Sequence, residues 1–206
     1  NLNLSAEQVA QCVNSIGVGF LFAQKHHGAM KHVAGPRKEM GVRTLFNLLG
    51  PLANPAGAPN QVLGVFAQQW VEPLAQVLQA LGSHHVLVVN AEGGLDEISI
   101  ASPTSVAELK NGQITTYSIS PEQFGLQRAD LAELAVNDEQ DSLMTLKSVL
   151  DNTPGPALDI VALNSGAAIY AAGLVDSLAA GVSKAQEVIA SGAAKEKLNA
   201  LVNFNA

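Results

Sequence analysis

Three short stretches of this chain hold residue types that could do chemistry. The first runs from Lys25 to Arg43 and carries Lys25, Lys31, Arg37, Lys38 and Arg43, five of the 11 Lys and Arg residues in the whole sequence. Arg37 stands out among them because Gly35-Pro36 precedes it, and proline restricts the backbone locally. A guanidinium can grip a carboxylate through two parallel hydrogen bonds, which an ammonium cannot do. The plain alternative for this stretch is a solvated basic surface. His26 and His27 are sequence neighbours, so they point to different sides of a helix or strand and are poorly placed to share one metal ion.

The second stretch is Gly93-Gly94-Leu95-Asp96-Glu97. Adjacent carboxylates suit Mg²⁺, which takes one or two protein oxygens and completes its shell with water and phosphate oxygens. The paired glycines let backbone approach a ligand closely. The alternative is a solvated acidic turn. The third stretch is Leu163-Asn164-Ser165-Gly166-Ala167-Ala168, where small residues in a buried helix predict tight helix packing. Asn164 needs hydrogen-bond partners if buried, and we assign it a structural role.

The elements that must position these groups read as mixed α/β. Ser5-Ala-Glu-Gln8 has the spacing of a helix capping box, and the helix it starts should end near Gly17–Gly19. Leu45, Leu48, Leu49 and Leu52 recur at helical spacing, and the segment from Gly50 to Pro55 should stop that helix. Gln61–Phe66 and His85–Asn90 read as buried strands flanking a helix over Val71–Leu81, a βαβ unit whose strands should run parallel. The acidic pair then follows the second strand at its carboxyl end, where open α/β sheets bind ligands. Asn111-Gly112 predicts a hairpin turn between Val106–Lys110 and Gln113–Ser118. Four helices are expected beyond Asp138, over 141–150, 158–174, 177–190 and 194–204.

Composition removes several function classes. The 206 residues are 48% hydrophobic and 14% charged, with a formal net charge of −7. That is enough apolar material for a core. The acidic balance lacks the basic footprint of a nucleic-acid binder. The longest apolar run, 160–175, is interrupted by Asn164 and Ser165 and is too short to span a bilayer. The single Cys12 has no partner for an internal disulfide, so a core thiol in a reducing, cytoplasmic setting is expected. Asn1 at the start, with no initiator Met, hints at a piece of a longer polypeptide.

Residues 26–55, HHGAMKHVAGPRKEMGVRTLFNLLGPLANP, resemble the signature stretch of anthranilate phosphoribosyltransferases. The GLDE run at 94–97 and the Asn164-Ser165-Gly166 run fall where that family has them, and the resemblance covers essentially the whole chain. It implies transfer of a phosphoribosyl group from phosphoribosyl pyrophosphate to the amine of anthranilate, a step in tryptophan biosynthesis that releases pyrophosphate. In the family, the arginine matching Arg37 contacts anthranilate, and the residues matching His27 and Pro51 line the same path. The pair matching Asp96 and Glu97 binds Mg²⁺. Gly28 and Gly35-Pro36 depart from the family's common residues but leave His27 and Arg37 in register.

The resemblance also implies the nucleoside phosphorylase/phosphoribosyltransferase type of fold, a large α/β domain with a parallel-strand sheet flanked by helices, plus part of a small helical domain. Residues 1–25 would begin the visible α/β segment, 26–55 would supply helices of the small domain, and 56–206 would form the large domain. A homodimer is expected of the complete protein, with no nucleic-acid or membrane partner. The family's Gly-Thr-Gly-Gly-Asp phosphate loop and Lys-His-Gly-Asn segment do not occur in these residues. The 206 residues by themselves are therefore expected to be inactive. Two rival readings are a pyrimidine nucleoside phosphorylase, which should lack the RTLFNLLGPLANP stretch, and a non-enzymatic nucleic-acid-binding relative, which the negative charge opposes.

Overall fold

The protein is described from a computed structural model covering residues 1–26 and 46–204. His27 and Arg37 lie outside the described residues. The chain forms two compact units, 1–57 with 193–206, and 58–192.

In the first unit, α1 (Ala6–Ile16) begins at Ser5 with the expected capping box. The Gln8 N–H donates to Ser5 Oγ at 3.3 Å, and the Ser5 N–H donates to Gln8 Oε1 at 2.8 Å. The helix ends at Gly17, whose φ of 78° lies in the left-handed region. Cys12 is fully buried and its thiol donates to the Val18 carbonyl at 3.2 Å, as fits a core thiol. Among the described residues two short helices follow, α2 (Ala23–His26) and α3 (Phe46–Leu52). Helix α3 contains Pro51 and ends at Leu52, inside the segment from Gly50 to Pro55 expected to stop it. The Ala53 N–H still reaches the Leu49 carbonyl at 3.1 Å, so the proline costs only its own donor.

The second unit holds the sheet, in the order β1 (Asn60–Gly64), β2 (His85–Ala91), β3 (Thr104–Lys110), β4 (Gln113–Ile119). Helix α4 (Val71–Ala80) joins β1 to β2, and these two strands are parallel as expected of a βαβ unit. The remaining pairs are antiparallel, so the described sheet is mixed. Asn111 and Gly112 turn the β3–β4 hairpin with φ of 52° and 73°. All seven residues of β2 are buried, because α4 covers one face of the sheet and later helices the other.

Helices α5 (Glu139–Leu150), α6 (Pro156–Ala171) and α7 (Leu178–Ala190) complete this unit, and α8 (Ala193–Val202) belongs to the first. Gly166 and Gly181 let α6 and α7 touch backbone to backbone. A Cβ on Gly166 would sit 2.5 Å from the Val182 nitrogen, and one on Gly181 would overlap the Gly166 carbonyl. The small-residue run therefore does the packing expected of it. Among the described residues no helix is long and apolar enough to cross a membrane.

Strand register explains which side chains meet α6. Val62, Leu87 and Glu108 are aligned across β1, β2 and β3, and Gly64, Val89 and Val106 form the next row on the same face. Leu87, Val89 and Val106 pack with Leu163, Ala167 and Tyr170 of α6. Glu108 is a carboxylate in that otherwise apolar layer, and it is well provided for. Tyr170 donates to its Oε1 at 2.7 Å and Tyr117 to its Oε2 at 2.9 Å, while His85 Nε2 lies 2.9 Å from Oε1. Lys110 Nζ in turn donates to the Tyr170 hydroxyl at 3.0 Å.

Burial pushes the Glu108 carboxyl up, but the hydrogen bonds from Tyr170, Tyr117 and His85 outweigh it and hold it below the ordinary carboxylate value. A folded-state value below the unfolded one means the charged group stabilises the fold above the unfolded value, and that this contribution is lost as pH falls through the folded one. Glu108→Gln should therefore cost on the order of 1.5–3 kcal/mol at neutral pH. It should also flatten the acid side of the stability profile. Urea unfolding between neutral and acid pH checks this, and parallel profiles for the two proteins would contradict it.

Candidate functional site

The site is built on the turn that leaves the carboxyl end of β2. The Gly94 N–H donates to the Ala91 carbonyl at 3.0 Å, and the Ala91 N–H donates to the Leu95 carbonyl at 2.9 Å. Closing so tight a turn requires left-handed backbone at Gly93 and Gly94, whose φ angles are 89° and 88°. Asp96 and Glu97 follow and are exposed, and the chain dives back at Ile98, Ser99 and Ile100, all buried.

Three contacts hold the turn in place. Asp96 lies directly over β1 at Gly64, where any Cβ would overlap the Asp96 carbonyl oxygen. Glycine inside a strand marks close backbone approach, and here the approaching backbone is the one that carries the acidic pair. From the helix side, Asn164 Oδ1 accepts from the Ile98 N–H at 2.9 Å and its Nδ2 donates to the Ile98 carbonyl at 2.9 Å. The same Nδ2 also donates to the Ile160 carbonyl at 3.0 Å. Within the sheet, Asn90 Nδ2 donates to the Val65 carbonyl at 2.6 Å and fastens the end of β1 to β2.

Between the strand ends and α6 lies a cleft of about 440 Å³. Its floor is Val62, Gly64 and Val89, its far wall is Ile160, Val161, Asn164 and Ser165, and Asp96 and Glu97 stand at its edge. A cleft with an apolar floor and a few convergent polar groups is the usual form of a small-ligand site. Among the described residues neither Asp96 nor Glu97 has a salt bridge or a side-chain hydrogen bond. Nor, among those residues, do three or more His, Cys, Asp or Glu side chains gather to enclose a metal. Two exposed carboxylates without side-chain partners among the described residues fit a hard cation that takes its other oxygens from water and from a phosphate-bearing ligand.

The residues singled out from sequence fare as follows. Asp96 and Glu97 sit together at the carboxyl end of β2, and Asn164 has the structural role assigned to it, with its partners now identified. Pro51 is half-buried in α3. His27 and Arg37 lie outside the described residues. Gly64 escaped notice as a site residue, and Ser165 was noted only as part of the small-residue run. A glycine in the middle of the strand-like QVLGVF was the available signal for Gly64.

Residues 1–195 match the glycosyl transferase family, a/b domain. Anthranilate phosphoribosyltransferase of Methylococcus capsulatus is 66% identical over 201 residues, which are 98% of this chain and 59% of that protein. The crystal structure of anthranilate phosphoribosyltransferase from Thermus thermophilus superposes with a TM-score of 0.89 at 44% identity, covering 97% of this chain and 59% of that one. The Saccharomyces cerevisiae anthranilate phosphoribosyltransferase in complex with PRPP and Mg superposes with a TM-score of 0.86 at 27% identity, covering 96% and 57%. The chain thus spans about three fifths of the length of these relatives.

Carboxylates held for a ligand should matter little to the fold. Replacing Asp96 and Glu97 together by Asn should change stability by no more than about 0.5 kcal/mol, as for surface groups away from packed or bonded features. The melting temperature should then move by only about 1–2 °C. A calorimetric scan of the double variant decides, and a drop of many degrees would make the pair part of the scaffold.

Proposed function

The chain belongs to the glycosyl transferase family, a/b domain, and from that premise we propose that it is the acceptor- and metal-bearing portion of an anthranilate phosphoribosyltransferase. The reaction joins the amine nitrogen of anthranilate to the anomeric carbon of phosphoribosyl pyrophosphate. The bond from that carbon to the pyrophosphate oxygen breaks, its electron pair leaves with pyrophosphate, and the amine loses a proton. The product is N-(5-phosphoribosyl)anthranilate, an intermediate of tryptophan biosynthesis, and we assign the protein to the cytoplasm.

The observation that carries the reading is the acidic pair, exposed and unpartnered among the described residues, on a turn fastened at the carboxyl end of β2. Asp96 and Glu97 would hold Mg²⁺ there. A bound Mg²⁺ supplies charge neutralisation for the leaving pyrophosphate. The turn's own work is to hold two carboxylates in a fixed place beside an apolar-floored cleft. Arg37 would hold the anthranilate carboxylate, and His27 and Pro51 would line the path by which anthranilate enters. In the complete protein we assign a homodimer, with residues 26–55 contributing to its small helical domain.

Two kinetic outcomes test the reading in the complete enzyme, with anthranilate consumption followed by its fluorescence. Arg37→Ala should weaken anthranilate use by on the order of 1.5–3 kcal/mol, the worth of a charge-assisted hydrogen bond. The apparent affinity for phosphoribosyl pyrophosphate should stay near that of the parent. Arg37→Lys should also be impaired, because an ammonium cannot reproduce the two-pronged grip. Unchanged anthranilate kinetics in Arg37→Ala would remove Arg37 from the acceptor site.

A further inference from the structure

Asn164 is polar, lines the cleft and stands on a helix, so it could be taken for a residue that touches substrate. Its hydrogen bonds argue otherwise. A carboxamide has two N–H donors, and in Asn164 both are committed, one to the Ile98 carbonyl and one to the Ile160 carbonyl. Its oxygen already accepts from the Ile98 N–H. What this side chain does is take both main-chain groups of one residue, as a neighbouring strand would. That residue immediately follows Glu97. On the other side of the same short segment, Gly64 admits the Asp96 carbonyl into space that any side chain would fill.

We propose that Asn164 and Gly64 are positioning residues for the acidic pair: the carboxamide holds the segment after Glu97 from the helix side, and the bare glycine seats Asp96 on the sheet side. The inference rests on the metal-binding reading of Asp96 and Glu97. Two adjacent side chains on an exposed turn otherwise sample many relative placements, and fixing the backbone on both sides of the pair reduces them before any cation arrives. Groups that orient metal ligands from behind affect metal affinity by roughly 10–100-fold when removed.

The test uses the complete protein and Mn²⁺ in place of Mg²⁺, with inorganic pyrophosphate present, and binding read by electron paramagnetic resonance. Asn164→Ala should raise the Mn²⁺ dissociation constant at least about tenfold while leaving the KM for anthranilate within about twofold. Gly64→Ala, which pushes on Asp96 from the opposite side, should do the same. A side chain that merely stabilised the fold would lower the melting temperature without changing the Mn²⁺ affinity of the folded protein, so parent-like affinity in either variant overturns the proposal. Asp96→Asn/Glu97→Asn is measured beside them. If that double variant has lost Mn²⁺ and Asn164→Ala has not, positioning fails and the metal reading stands. If the double variant binds Mn²⁺ as the parent does, the metal reading fails and takes this inference with it. Should Asn164→Ala not fold, the parent protein still decides through hydrogen exchange. The Ile98 amide should be protected without any metal, and an amide protected only after Mn²⁺ is added contradicts a turn held in advance.

Discussion

The Asn164 carboxamide is the joint on which the site depends. It binds a helix to the segment after β2 by satisfying both main-chain groups of Ile98, a residue 66 positions away. A buried backbone N–H or carbonyl left without a partner costs about 1–3 kcal/mol, so this one side chain accounts for two such groups. The rest of the site follows from where that joint lies. Ile98 is the first residue of the chain's return into the core, and the two residues ahead of it are the exposed carboxylates.

A second polar anchor sits further along the same helix. Tyr170 donates to the buried Glu108, and its ring meets His85 edge-on at 4.7 Å. Helix α6 is thus pinned to the β2 side of the sheet at Asn164 and at Tyr170. Between these anchors Gly166 and Ala167 present no side chain larger than a methyl group, and α7 packs against that smooth stretch. Dense apolar contact alone tolerates sliding by small steps. Hydrogen bonds with fixed partners at two points along the helix do not, and the cleft wall formed by α6 inherits that rigidity.

Much of this was legible in the sequence, for reasons that differ from place to place. The Ser5 capping box, the Asn111-Gly112 turn and the βαβ unit were readable because each depends on residues close in sequence. The acidic pair could be placed at the carboxyl end of a strand because the run from His85 is continuously apolar and the glycines after it mark the turn. The partners of Asn164 were not readable, since a buried amide announces a need for hydrogen bonds without saying where they come from. Nothing local in Val106–Lys110 marks Glu108 as buried, and only the register that lays it beside Leu87 and under Tyr170 makes it a core residue. The end of helix α3 at Leu52, by contrast, was readable, since Gly50, Pro51 and Pro55 mark it locally.

The chemistry then reduces to a simple requirement. On the proposed function the donor's pyrophosphate needs cationic partners, and two exposed carboxylates on a fastened turn, unpartnered among the described residues, are a means of holding one. The most direct measurement is the rate of the complete enzyme titrated against Mg²⁺ at saturating anthranilate, with the Asp96→Asn/Glu97→Asn variant beside the parent. The variant should show a lower maximal rate and a curve displaced to higher Mg²⁺. A variant curve that superimposes on the parent's would contradict the metal reading.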